Sequence, residues 1–163
     1  MRVVIADDEP LARKTIRLLV KRDPEVNIVA ECRNGAEAVD AVREQKPDLL
    51  FLDIQMPRLD GFDVLEILGA DAPAIVFVTA YDQYAIRAFE VHAIDYLLKP
   101  FTDERFEKAL SRAKELVRRH DTEREKHAQL TAAHRAFTIR FMVRSAGRVV
   151  FLKADEIDWI EAA

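Results

Sequence analysis

At 163 residues, with hydrophobic residues at 50%, charged residues at 33%, 4 glycines and 6 prolines, the chain has the balance of a folded globular protein with room for one domain and an appendage. Its longest apolar runs, 48–52 and 72–80, fall far short of the roughly 20 residues a membrane helix needs, and the start leads straight into Asp7, Asp8 and Glu9 without the form of a signal peptide, so a cytoplasmic location with no membrane partner is expected. Residues 1–101 carry 12 basic against 18 acidic side chains, 102–136 carry 9 against 7 and 137–163 carry 4 against 4, which leaves no strong basic patch to support direct nucleic-acid binding.

In chain order, short β-branched runs alternate with amphipathic stretches. Arg2–Ala6 reads as a strand; Pro10 opens a helix at a position where proline is tolerated, with Leu11, Ile16, Leu19 and Val20 as its apolar face through Arg22. A strand at Val26–Cys32 ends on the one cysteine, for which a buried thiol is expected. Asn34-Gly35 is expected to turn the chain into a helix at Ala36–Glu44, and Asp48–Asp53 forms a strand apolar on both sides, as a central parallel strand should be. After a loop at Gln55–Gly61 come a helix at Phe62–Leu68, a strand at Ala74–Ala80, a helix at Gln83–Val91 and a strand at Ile94–Leu98 before Lys99-Pro100. This rhythm predicts an α/β, doubly wound five-stranded parallel sheet, whose site lies outside the carboxyl ends of the strands.

Polar residues cluster at those ends: Asp7-Asp8, Asp53, Thr79-Ala80 and Lys99. Each alone has a plain structural explanation, as a helix cap, a turn former, a strand-end hydroxyl or a solvated charge. Their coincidence at four strand ends points instead to a site. Gathered carboxylates repel one another, and a hard divalent cation with oxygen ligands, magnesium above all, compensates them. Asp8 and Asp53 would ligate it directly, Asp7 through water, and the Gln55 backbone carbonyl would complete the protein's share. Lys99 would pair with a carboxylate or a phosphoryl oxygen. Such a setting suits phosphoryl transfer to Asp53, with the Thr79 hydroxyl sensing the new group and Tyr96 moving with it.

Asp7-Asp8, Asp53 with Met56-Pro57 and Asp60-Gly61, Thr79-Ala80, Tyr96 and Lys99-Pro100 together resemble the response-regulator receiver domain of two-component signalling. The resemblance implies a flavodoxin-like strand order of 2-1-3-4-5, a sensor histidine kinase as phosphodonor and magnesium as cofactor. It makes Asp53 the phosphoacceptor, Asp7 and Asp8 the acidic pair, Thr79 and Tyr96 the switch, Lys99, Thr79 and Ala80 the phosphate-binding residues, and Gln55 and Tyr81 the positions that tune phosphate lifetime.

Residues 102–136 lack glycine and proline and read as one long helix of roughly 50 Å, with Phe106, Leu110, Ala113, Leu116 and Val117 as an inner face. His120, His127 and His134 stand at heptad spacing. A solvated linker with incidental histidines is the plainer account; the alternative is a parallel pairing that protonation would oppose. Beyond it, Ile139, Phe141 and Val143 alternate with polar neighbours, Ala146-Gly147 turns into Val149–Leu152, and Asp155-Glu156-Ile157 with Trp159-Ile160-Glu161 resembles the opening of a LytTR-type DNA-binding domain. The stretch Tyr81-Asp82-Gln83-Tyr84-Ala85 and Ala88-Phe89-Glu90 resembles receivers of that class. Three segments are therefore expected: a receiver at 1–120, a helical linker at 121–137 and the N-terminal fragment of a LytTR-type domain at 138–163, with DNA contacted only through the complete C-terminal domain and homodimerisation as the partial β tail's outlet. The function expected is a transcription-controlling response regulator, not an enzyme in the ordinary sense; a stand-alone receiver or phosphorelay shuttle and an aspartyl-phosphate phosphatase are the alternatives.

Overall fold

The structure, a computed structural model, describes the backbone of residues 1–137, 140–145 and 148–153 and the side chains of residues 1–119 and 122. It divides into two units, Met1–Arg118 and Arg119–Ala163. In the first, β1 (Arg2–Ala6), β2 (Asn27–Cys32), β3 (Leu49–Leu52), β4 (Ala74–Thr79) and β5 (Asp95–Leu98) form the predicted parallel sheet, in the order β2-β1-β3-β4-β5 that the receiver resemblance implies. Central β3 is buried along its whole length, which is why its sequence, Leu49-Leu50-Phe51-Leu52, shows no alternation.

Helices α1 (Pro10–Val20), α2 (Gly35–Gln45), α3 (Gly61–Leu68), α4 (Ala85–Glu90) and the start of α5 (Asp103–Phe137) cover the sheet. One core lies under α2 and α3 and holds Val39, Leu50, Leu52, Phe62 and Phe77; the other holds Ile5, Ile16, Phe51, Leu97 and Phe106. Cys32 belongs to the first, and burial, followed by the charge of Glu37, pushes its thiol up to about 12.

Three local readings need correction. Leu11 is 77% exposed rather than part of the α1 face. Five residues separate it from Ile16, and at about 100° per residue that puts the two on different sides of the helix. Asn34 is a helix cap, its side chain accepting from Glu37 N at 2.9 Å, and Gly35 is the first helical residue. Glycine is required at 35 because a Cβ there would come within 2.4 Å of the Leu59 carbonyl and 2.9 Å of Val64 Cγ2. Third, α4 is shorter than Gln83–Val91: no side chain caps its start at Tyr84, and His92 just beyond it takes a left-handed φ of 58°.

Helix α5 docks through Phe106, Ala109, Leu110 and Ala113, spaced at i, i+3, i+4 and i+7, whereas Leu116, expected on this face, is 38% exposed. Its docking is reinforced by charge. Asp95 in β5, with a side chain 7% exposed, receives Arg105 at 2.5 Å and Arg112 at 3.0 Å, and Lys114 pairs with Asp23 at 2.6 Å. Burial alone would raise the Asp95 carboxyl, but the bonds from Arg105 and the Tyr96 N–H outweigh it and hold the carboxyl below its ordinary value. A depressed carboxyl stabilises the fold above its unfolded pKa and loses that contribution as pH falls through the folded one. Asp95→Asn is therefore expected to cost about 1–2 kcal/mol at pH 7, less than a fully buried pair because both arginines are partly exposed, and the gap from wild type should close below about pH 4 in urea titrations.

In the second unit, β6 (Arg140–Ser145) and β7 (Arg148–Lys153) pair antiparallel, with Phe141 opposite Leu152 and Val143 opposite Val150. Ile139, the Ala146-Gly147 turn and the segment with Asp155 and Trp159 lie outside the described residues. Positions 120, 127 and 134 fall within α5, but their side chains also lie outside the described residues. Among the described residues, no helix is long and apolar enough to cross a membrane.

Candidate phosphoacceptor site

The sheet ladder brings the predicted residues together. Ala6 stands beside Leu52 in register, so the next residues, Asp7 and Asp53, emerge side by side, and Asp53 N–H donates to the Ala6 carbonyl at 2.8 Å. Across β4 and β5, Lys99 N–H donates to the Thr79 carbonyl at 2.8 Å, which delivers the lysine to the same edge.

Asp7 is fully buried, Asp53 is 5% exposed and Asp8 is exposed, and their three carboxylates offer oxygens within 4.8 Å of one another. Lys99 Nζ lies 2.8 Å from Asp53 Oδ2, as a hydrogen bond, and 2.7 Å from Asp7 Oδ2, close enough to pair in charge but off the line a hydrogen bond requires. Backbone donors hold the other oxygens: Glu9 N–H reaches Asp7 Oδ1 at 2.9 Å and Gln55 N–H reaches Asp53 Oδ1 at 3.2 Å. Burial pushes the Asp7 carboxyl up against the pull of Lys99. For Lys99 itself burial acts downward, but its hydrogen bond to Asp53 and its charge pairing with Asp53 and Asp7 prevail and raise the ammonium. The lysine is thus a fixed cation clamped between two acids.

The Thr79 hydroxyl is fully buried and has no hydrogen-bond partner among the described residues. An unpaired buried hydroxyl is costly, and it marks a place where a polar group is due. Ala80, next in the chain, is exposed at the rim. The Tyr96 hydroxyl donates to the Tyr81 carbonyl, which closes the loop after β4, and burial pushes its phenol up, aided by the charges of Asp82 and Asp53. Tyr81 is 40% exposed.

Residues 3–111 match the response regulator receiver domain family. The chain belongs to the receiver family. It is 51% identical over 116 residues to the transcriptional regulatory protein BtsR of Salmonella typhi, covering 71% of this chain and 48% of BtsR. It is 47% identical over 131 residues to the sensory transduction protein LytT of Bacillus subtilis, covering 78% of this chain and 54% of LytT. The response regulatory domain of protein mrkE from Klebsiella pneumoniae superposes with a TM-score of 0.69 at 33% identity, over 73% of this chain and 99% of that one. The receiver chain spans about half the length of the curated relatives it matches.

Three contacts of this receiver carry no signal in the sequence pattern. Arg13 donates to the backbone carbonyls of Asp7 at 2.6 Å and Asp8 at 3.1 Å and so holds the acidic loop from α1. Arg105 bonds the Tyr96 carbonyl at 2.9 Å as well as Asp95, joining the strand of the tyrosine to α5. Tyr84 accepts a hydrogen bond from the Gln55 side chain at 3.2 Å. A lone arginine or tyrosine on a helix predicts none of these partners. Gly61, by contrast, belongs to the quoted pattern: a Cβ there would lie 2.7 Å from the Asp53 carbonyl, so the close approach of α3 to the site admits only glycine.

Proposed function

We propose that this receiver accepts a phosphoryl group on Asp53 from a sensor histidine kinase, with magnesium as cofactor, and that the modification alters association through α5. The observation that carries the reading is the clamp of Lys99 on Asp53 and Asp7 beside an unpaired buried Thr79 hydroxyl. The donor set fits magnesium, a hard cation that takes oxygen ligands: the carboxylates of Asp7, Asp8 and Asp53 lie close together, and the Gln55 backbone carbonyl would add a neutral oxygen. When bound, the ion supplies positive charge to the phosphoryl oxygens.

In the transfer, an Asp53 carboxylate oxygen attacks phosphorus. The O–P bond forms while the P–N bond to the kinase histidine breaks, and the histidine nitrogen keeps the electron pair. Lys99 stabilises the equatorial oxygens, so the residues act by position and charge. The Thr79 hydroxyl then finds its missing partner in a phosphoryl oxygen, with Ala80 at its side, and Tyr96 leaves the Tyr81 carbonyl. Because Arg105 holds the Tyr96 carbonyl, the change in β5 reaches α5 directly. Gln55 and Tyr81 tune the lifetime of the phosphate.

The wider protein is proposed as a cytoplasmic, homodimeric transcription regulator, a reading supported by the transcriptional role in the name of BtsR and by the likeness to LytT. In it, residues 1–120 are the receiver, 121–137 a linker and 138–163 the opening of a LytTR-type domain, with DNA bound only through the complete domain. Treated with acetyl phosphate and magnesium, the chain is expected to gain one hydroxylamine-labile phosphoryl group by intact mass, and none in excess EDTA. Equal labelling in EDTA, or none in either buffer, would overturn the reading.

A further inference from the structure

Gln55 follows the acceptor by two residues, and its N–H bond to Asp53 Oδ1 fixes its backbone beside the carboxylate. Its side chain is exposed and long, a kind that normally keeps its rotamer freedom. Here the carboxamide is tied: Nε2 donates to the Tyr84 hydroxyl at 3.2 Å, joining the loop after β3 to the start of α4 across the rim of the site.

The acceptor end of that bond is well seated. The Tyr84 ring rests on Phe62 with centroids 6.0 Å apart, and Tyr81 meets it edge-on at 6.1 Å. Phe62 is 4% exposed and leans on fully buried Phe77 at 5.2 Å, while the Arg87 guanidinium lies 3.9 Å from its ring centroid. A chain of rings rooted in the core therefore aims the Tyr84 hydroxyl, and the flexible glutamine is the partner that gains order from it.

We infer that Tyr84 is a positioning residue for the lifetime of the phosphoryl group on Asp53, acting through the Gln55 carboxamide. This rests on the phosphoacceptor reading above and adds to it a residue outside the acidic cluster. Hydrolysis proceeds when a water oxygen attacks phosphorus: the bond from phosphorus to the Asp53 oxygen breaks, the carboxylate keeps the electron pair, and inorganic phosphate leaves as the water's proton passes to solvent. Releasing Gln55 opens the rim to water and frees an amide that can orient it. Both consequences have the same sign, faster loss of phosphate.

The test uses the whole chain labelled with radioactive acetyl phosphate and magnesium, freed of donor and followed for loss of label. Tyr84→Phe removes the hydroxyl and keeps the ring; its half-life is expected to fall about 3- to 10-fold, the range of one lost hydrogen bond, with an unchanged thermal midpoint. In a Gln55→Ala background the same substitution is expected to change the half-life by less than about 1.5-fold, because its partner is already gone. Equal half-lives for wild type and Tyr84→Phe, or an undiminished effect in the Gln55→Ala background, overturn the inference and leave the phosphoacceptor reading intact. A wild-type chain that takes no label overturns both.

Discussion

Asp53→Ala is expected to lose essentially all labelling by acetyl phosphate and magnesium, a fall of about 1,000-fold or more, the scale on which removal of a covalent nucleophile acts. The two other carboxylates of the cluster cannot replace it. Asp7 is fully buried, so a phosphorus atom has no approach to it; Asp8 is exposed but is not among the partners of Lys99. Asp53 alone combines contact with Lys99 and a small opening to solvent. Its removal also leaves Lys99 paired with Asp7, so no buried charge is stranded, and circular dichroism should show a folded variant whose thermal midpoint lies within a few degrees of wild type. Labelling of the alanine variant at the wild-type rate would sink the assignment.

Phe106→Ala is expected to destabilise the chain by about 3–5 kcal/mol, a large part of the 5–15 kcal/mol typical of a whole domain. Phe106 is fully buried, stacks on Phe51 of β3 at 5.2 Å and meets Phe101 at 6.0 Å. Ile5, Leu49 and Leu97 share this core and are fully buried, and a close-packed interior relaxes only partly around a lost ring. The loss falls on the docking of α5, which keeps the smaller contacts of Ala109, Leu110 and Ala113 and the ion pairs of Asp95 and Asp23. Urea unfolding monitored by far-ultraviolet circular dichroism measures it, and a loss below about 1 kcal/mol would mean that the first turns of α5 are not packed on the sheet. The same substitution should weaken any effect of phosphorylation on association, since α5 is the proposed route of output.

The acidic site is legible in the sequence because its residues lie at or directly after strand ends, and a parallel sheet places all such positions on one edge. Asp7, Asp53, Thr79 and Lys99 needed only that rule. Leu11, 77% exposed, is off the α1 face by its spacing from Ile16 alone, whereas Leu116, 38% exposed, sits near the α5 stripe and only the extent of the sheet beneath the helix decides its burial. Asn34-Gly35 reads in the sequence as a lead into a helix, but that this glycine is the first helical residue, pressed against Leu59, 24 residues further on, is visible only in the fold.

The sequence by itself determined the strand order's raw material, the acidic constellation and its lysine, because these follow from local period and from residues adjacent to strand ends. Tertiary structure alone decided the Lys99 clamp on two acids, the Arg105 link from Tyr96 to α5 and the Gln55–Tyr84 bond. Each of these joins residues of different elements through side-chain direction and distance, and hydrophobic patterning, which reports only the face a residue turns to the core, contains neither quantity.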